Sequence, residues 1–420
     1  MLRTTCGSVE SNFDLRDRRS PECGNRTTLT PSQASSMGRY EDRGMGIDRA
    51  VLEHAENKLP AMLDWLRLLV SCESPSNDPR GLEACAALLQ PWLSSALRRS
   101  VRLEAVGANV HLLAEAESPK VLLLGHFDTV WPVGTTVEWP FSISEGVASG
   151  PGAFDMKAGI VQAIAAIELL ADASHVSVLL TSDEEVGSAT SRGLIEEQAR
   201  RSGAVLVCEP SADGGAVKTG RKGIANYRVG VRGKAAHAGL EPELGVNAGV
   251  ELAHQILAIS GLGNGGTSVT PTVLSAGTTV NTVPERAQCA VDARSWTTTD
   301  LERVDRAIFA LAPRLPGAEV VVTGGIDRPP FEETVARSLY AETVAAAQDL
   351  GLVPPAAVRS GGGSDGNLTA AIGVPTLDGL GAVGGHPHAR NEHVVVDAMP
   401  ERAALLAALL TRLGDRSLSE

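Results

Sequence analysis

Aromatic side chains are scarce. Tryptophan, tyrosine and phenylalanine together make up 3% of the 420 residues, so a core must be filled by alanine, valine and leucine. Cysteine is sparse as well: Cys6, Cys23, Cys72, Cys85, Cys208 and Cys289 form no CxxC pair and no dense framework. That spacing excludes a disulfide-stapled scaffold and fits scattered reduced thiols, several of them small core residues. Basic residues are outnumbered, 37 Lys and Arg against 50 Asp and Glu, for a formal net charge of −13. The deficit argues against a nucleic acid or an anionic membrane as partner. A positively charged substrate does not follow from it, because bound metal ions invert the local charge of a pocket. No apolar run approaches the ~20 residues of a membrane helix, and the charged N-terminus has no stretch suited to a secretory signal. A cytoplasmic location is expected.

What is present is an ordinary globular balance, 43% hydrophobic and 21% charged, in a chain longer than one core usually fills. Residues 1–45, rich in Ser, Thr, Arg, Gly and Asp without periodicity, are expected to be a disordered tail. Met37 and Met45 are each plausible starts. Helical periodicity covers 47–69 and 81–97, with a Ser/Pro/Asn/Asp loop over 74–79 between them. Three apolar runs then alternate with two helices: strands at 120–124, 176–180 and 204–207, helices at 157–170 and 191–201. Strand–helix–strand–helix–strand spells a largely parallel sheet, whose ligands gather at the carboxyl ends of the strands. His126, Glu184, Glu185 and Glu209 all fall at or just past such ends.

From residue 223 the pattern changes to alternating strands (224–231, 272–276, 287–294, 319–323) with helices at 246–259 and 299–311. A β-α-β-β-α-β run of this size predicts a small ferredoxin-like domain inserted into the larger one. The first domain resumes with a helix at 333–349, a glycine loop at 361–363, a strand near Thr376, a histidine-rich loop at 386–393 and a closing helix at 400–413. No internal repeat is visible. The fold expected is therefore α/β, a mixed, largely parallel sheet flanked by helices (46–222 and 331–420), carrying an inserted ferredoxin-like α+β domain (223–330).

The most informative stretch is Thr181-Ser182-Asp183-Glu184-Glu185-Val186-Gly187-Ser188. An isolated run of three acids is usually a solvated loop. At the end of a buried strand it calls for positive charge among the carboxylates. Side chains leaving a strand point different ways, so one glutamate could bind a metal while its neighbour takes a proton from an activated water.

Five motifs in order, GHFDTV (125–130), GPGAFDMKAG (150–159), TSDEEVGS (181–188), CEP (208–210) and HARNEHV (388–394), resemble the dinuclear-zinc metallopeptidases. That family includes glutamate carboxypeptidase, aminoacylase, acetylornithine deacetylase and succinyl-diaminopimelate desuccinylase. The stretches 233–248 and 359–365 are most similar to the glutamate carboxypeptidase branch. The resemblance runs from about Leu59 to Leu413. It implies a zinc-exopeptidase-like catalytic domain and an inserted domain for dimerisation and lid closure. It further implies that His126 and Glu209 bind one Zn²⁺, Glu185 and His388 the other, and Asp155 both. Co²⁺ or Mn²⁺ would suit the same sites. Asp128 would fix the His126 tautomer, Glu184 would be the general base, and a non-proline cis peptide would follow Asp155. His386 competes with His388 as ligand; H-x-x-x-E with Glu392 favours His388.

The same resemblance implies that His237 reaches the active site of the other subunit of a homodimer and holds the oxyanion. Asn281 and Arg294 match residues that contact substrate. Arg328 and Gly363 match groups that bind its free carboxylate, with Asp365 supporting the glycine loop. The activity implied is zinc-dependent hydrolysis of a peptide or N-acyl amino acid, releasing an amino acid with a free carboxylate. A deacylase or desuccinylase of the same family is the near alternative, and a metal-binding scaffold without turnover the distant one.

Overall fold

Leu122, Leu123, Leu124, Val178, Leu179, Val205 and Leu206 are apolar on both sides of their strands, and such strands need helices over both faces. The computed structural model describes residues 45–415, and among these the main sheet has just that arrangement. Its order is Arg102–Val106, Asn109–Ala114, Val176–Thr181, Val121–His126, Ala204–Val207, Thr376–Leu377. The last four are mutually parallel, and every residue of Val121–His126 and Val176–Thr181 is buried. His126 stands opposite Thr181 in register, so the GHFDTV and TSDEEVGS motifs leave the sheet side by side.

The helix Ala158–Leu169 is buried from Ala158 through Ile167, as a helix apolar all round must be. It lies under Leu59–Ser71, Pro79–Leu97 and Ala398–Asp415. Small residues let it approach the sheet: a Cβ on Gly159 would stand 2.1 Å from the Cys208 carbonyl oxygen. This is how a core almost without aromatics closes.

Two local expectations change. The helix expected over 47–69 is two helices, Met45–Asn57 and Leu59–Ser71, because Pro60 lacks the N–H that would continue the first. A hairpin, Arg102–Val106 with Asn109–Ala114, adds an antiparallel edge. Its outer strand is mostly exposed and has no apolar run to announce it.

The inserted segment forms a separate antiparallel sheet, Ser268–Ala276, Arg286–Ser295, Gly223–Arg232, Glu319–Arg328. Burial alternates residue by residue along Gly223–Arg232. Ala248–Ser260 and Thr298–Phe309 cover one face around Tyr227, Val229, Leu252, Val291 and Leu301. Each helix has a capping side chain, Asn247 and Thr297, accepting the free N–H groups of the first turn. The order is that of a ferredoxin-like unit. Of the expected tail, residues 1–44, Met37 included, lie outside the described residues. Among those described, no helix is long and apolar enough to cross a membrane.

Candidate metal centre

The three acids of the TSDEEVGS run take three directions. Asp183 is buried and accepts from Thr190 N (2.7 Å), Thr190 Oγ1 (2.8 Å) and Ser191 N (3.3 Å), closing the turn before the helix Arg192–Arg201. Glu184 and Glu185 face inward. Their backbone N–H groups both donate to the fully buried Asp128, at 3.2 Å to Oδ1 and 3.2 Å to Oδ2. Ser76 Oγ adds a 2.6 Å bond to Oδ2. Asp128 therefore anchors the glutamates as well as the histidine, a role its sequence position did not reveal.

His126 ends the central strand, 1% exposed. Its Nδ1 lies 3.1 Å from Asp128 O and 3.3 Å from Asp128 Oδ1, which turns Nε2 toward Glu209 Oε1 (3.3 Å) and Asp155 Oδ1 (3.5 Å). On the other side His388 Nε2 is 3.1 Å from Glu185 Oε2 and 3.4 Å from Asp155 Oδ2. Asp155 stands between the two histidines, and the peptide after it is cis. Of His386 and His388, it is His388 whose ring lies beside Glu185 and Asp155. The ring of His386 packs instead against that of His393, 5.7 Å between centroids.

The electrostatics describe a site short of positive charge. Burial disfavours a charged His126, yet Asp128, Asp155 and Glu209 hold its pKa well above the ordinary value. His388, hydrogen-bonded to Asp155 and Glu185, is pushed up to about 10. Burial raises the Glu184 carboxyl well above the usual range although Arg328 pulls it down. It raises Glu185 too, against the hydrogen bond from His388. Asp155 and Glu209 go the other way. Burial opposes their ionisation, but His126 and His388 hold Asp155 low, and His126 with Arg221 and Lys218 holds Glu209 low.

These residues fit a metal pair. Ligand atoms of His126, Asp155 and Glu185 lie within 4.8 Å of one another, as do those of His126, Glu184 and Glu209. Two buried atoms in the cluster, His126 Nε2 and Asp155 Oδ1, have no hydrogen-bond partner among the described residues. Buried polar atoms are rarely left so. Imidazole and carboxylate donors without thiolate suit Zn²⁺ and neighbouring divalent ions.

Around this cluster the sequence reading missed two groups. Arg221 is buried and donates to Glu209 Oε2 (3.0 Å), to both oxygens of Asp378 (2.7 and 2.9 Å) and to the carbonyls of Gly362 and Gly363 (3.2 Å each). Asp378 is equally hidden. Neither lies in a recognisable motif. Arg328, expected to meet a substrate carboxylate, is 4% exposed. It donates to Asp365 Oδ1 (2.8 Å), Ser188 Oγ (2.8 Å) and Glu184 O (3.0 Å), and pairs with Glu184 Oε1 at 3.1 Å. Its guanidinium thus faces the Glu184 side chain. Gly363 sits directly against it: a Cβ there would stand 3.1 Å from Arg328 Cδ and 2.8 Å from Ile224 Cδ1.

Arg294 reaches the same glycine loop from the inserted sheet, bonding Asp292 (3.0 Å) and Gly361 O (3.1 Å). His237 and Asn281 are not brought to the cluster within the chain. His237 is exposed, and its Nδ1 accepts from Gly239 N and Leu240 N, both 3.1 Å. Asn281 O accepts from Ala238 N beside it. With Nδ1 accepting from Gly239 N and Leu240 N, a neutral ring at His237 carries its proton on Nε2.

Known proteins resemble this chain in sequence and in fold. The chain is 31% identical to carboxypeptidase G2 of a Pseudomonas species over 384 residues, 87% of this chain and 92% of that protein. It is 31% identical to the succinyl-diaminopimelate desuccinylase of Alkalilimnicola ehrlichii over 327 residues, 71% of this chain and 84% of that enzyme. The fold superposes on aminopeptidase PepT of Bacillus cereus with a TM-score of 0.68 at 22% identity, covering 87% of this chain and 99% of the other. A profile of peptidase family M20/M25/M40 matches residues 122–412. The chain belongs to that family, and it is a metallopeptidase-type hydrolase of peptide or amide bonds.

Proposed function

We propose that the protein is a dinuclear zinc carboxypeptidase-like amidohydrolase that releases an amino acid bearing a free carboxylate. The observation that carries this reading is the pair of orphaned buried atoms, His126 Nε2 and Asp155 Oδ1, facing into a cluster of carboxylates and imidazoles. His126 and Glu209 would hold one ion, Glu185 and His388 the other, and Asp155 both. Zn²⁺ bound there, or Co²⁺ or Mn²⁺, supplies Lewis acidity toward the substrate carbonyl and makes a nearby water easier to deprotonate.

The chain's own groups do the rest. Asp128 holds Nδ1 of His126, leaving Nε2 to face the cluster. Glu184 takes a proton from the attacking water as its oxygen adds to the carbonyl carbon. It then gives that proton to the amide nitrogen as the C–N bond breaks. Arg328, in contact with Glu184 Oε1, orients this base. Arg294, bonded to the glycine loop that contains Gly363, would meet the substrate's carboxylate, and Asn281, which lies beside His237, would contact substrate from there. His237 would donate a hydrogen bond from its Nε2–H to the oxyanion in the other subunit's site.

The division into a catalytic unit (46–222 and 331–420) and an inserted unit (223–330) belongs to this reading. The homodimer forms through the insert. Support comes from the free edge strand Ser268–Ala276, where Val273 and Leu274 are 80% and 60% exposed, an edge that a second copy would cover. Cys72, Cys85, Cys208 and Cys289 are free thiols, in keeping with a cytoplasmic setting. The likeness to a desuccinylase favours one alternative within the deacylases, a desuccinylase acting on N-succinyl amino acids. Hydrolysis of a panel of N-acyl glutamates, C-terminal dipeptides and N-succinyl diamino acids separates the two. Preference for the first two classes supports the carboxypeptidase reading, and preference for the succinyl class replaces it.

A further inference from the structure

Glu392 is fully buried, and all four hydrogen bonds to its carboxylate come from neutral N–H groups. Oε1 accepts from Phe154 N (2.8 Å) and Asp155 N (3.0 Å), and Oε2 from Trp131 Nε1 (3.0 Å) and Gly152 N (3.3 Å). Taking a carboxylate out of water is costly, and an apolar side chain fills such a space at no electrostatic penalty. Three of the four donors belong to the irregular segment 152–155 that delivers Asp155, and one of them is the backbone of Asp155 itself.

Glu392 also stands four residues after His388. The turn between them is closed by Glu392 N on Ala389 O (2.8 Å) and by Ala389 N on His386 O (3.2 Å). Ser149 Oγ ties the Glu392 carbonyl to the strand before the 152–155 segment (2.8 Å). One side chain thus joins the loop bearing His388 to the loop bearing Asp155.

We propose that Glu392 is a positioning residue that sets the distance between Asp155 and His388 and so tunes the affinity of both metal positions. This rests on the metal-centre reading above. Asp155 faces both histidines, at 3.5 Å from His126 and 3.4 Å from His388, so a shift of its backbone alters both positions together. Ligand groups must be held within about 0.5 Å to work. A glutamine at 392 keeps the volume but has a single acceptor oxygen. Its NH₂ would oppose one of the two donor pairs, either Phe154 N with Asp155 N or Trp131 Nε1 with Gly152 N.

The test is a competition titration of the apo full-length chain with Zn²⁺ against a chromophoric chelator, comparing wild type, Glu392→Gln and Trp131→Phe. Loss of an outer partner of this kind weakens metal binding by about 10- to 100-fold, and that is expected for Glu392→Gln, together with a shifted absorption spectrum in the Co²⁺ form. Trp131→Phe removes one donor at the rim, leaves the segment 152–155 intact, and is expected to weaken binding by less. If Glu392 only stabilises the fold, the variants melt earlier while zinc affinities and the cobalt spectrum stay as in wild type, and the proposal is overturned. Wild-type protein that takes up fewer than two ions contradicts the metal-centre reading instead, so the two failures are distinct.

Discussion

At the scale of residues, the different duties proposed for the adjacent Glu184 and Glu185 are the sharpest consequence of the proposed function. Both backbones are pinned by Asp128, yet the side chain of Glu184 turns to Arg328 and that of Glu185 to His388. Glu184→Ala is expected to keep its metal and to lose about 10²- to 10⁴-fold in turnover, the usual worth of a general base. Turnover within a few-fold of wild type removes Glu184 from that role. Glu185→Ala is expected to lose metal, read by elemental analysis as a drop from two ions per chain. Retention of both contradicts its place as a ligand. The run of acids and the histidines were legible because each sits in a short motif. Arg221, Asp378 and the bonding of Glu392 were not. Arg221 meets Asp378 across 157 positions and Glu392 meets Asp155 across 237, and nothing local in the sequence records such pairs.

Among the elements, the parallel strands were legible because burial on both faces leaves an unbroken apolar run, and the insert because burial on one face leaves alternation. What escaped was decided by exposure and by a single residue. The edge strand Arg102–Val106 is mostly solvent-facing, and Pro60 divides what periodicity alone joins. The helix Ala158–Leu169 makes a further demand that periodicity does not express, close approach to the sheet at Gly159. Gly159→Ala places a methyl group against the Cys208 carbonyl, one residue from Glu209. Overpacking of this kind costs about 1–3 kcal/mol, so the urea midpoint is expected to fall measurably. An unchanged midpoint would show that the helix shifts freely and that its seat on the sheet is not fixed there.

For the whole molecule, the question is whether one chain is a complete enzyme. His237 bonds only residues of its own loop among the hydrogen bonds described, while the proposed chemistry asks for a donor at the oxyanion. Mixed dimers of His237→Ala with Glu184→Ala are expected to recover activity that neither parent has, because one site then contains an intact set. Absence of recovery, with mixed dimers verified by tagged pull-down, contradicts a role across subunits.

The central claim is that two cations complete a cluster that imidazole and carboxylate groups cannot balance alone. Its most direct test is to strip the purified protein with chelator and titrate Zn²⁺ back while following both bound metal and hydrolysis of an N-acyl glutamate. The account predicts two ions bound per chain, with turnover absent in the stripped protein and restored as the ions return. Full turnover by exhaustively stripped protein, or restored turnover with no zinc bound at the cluster, would contradict it.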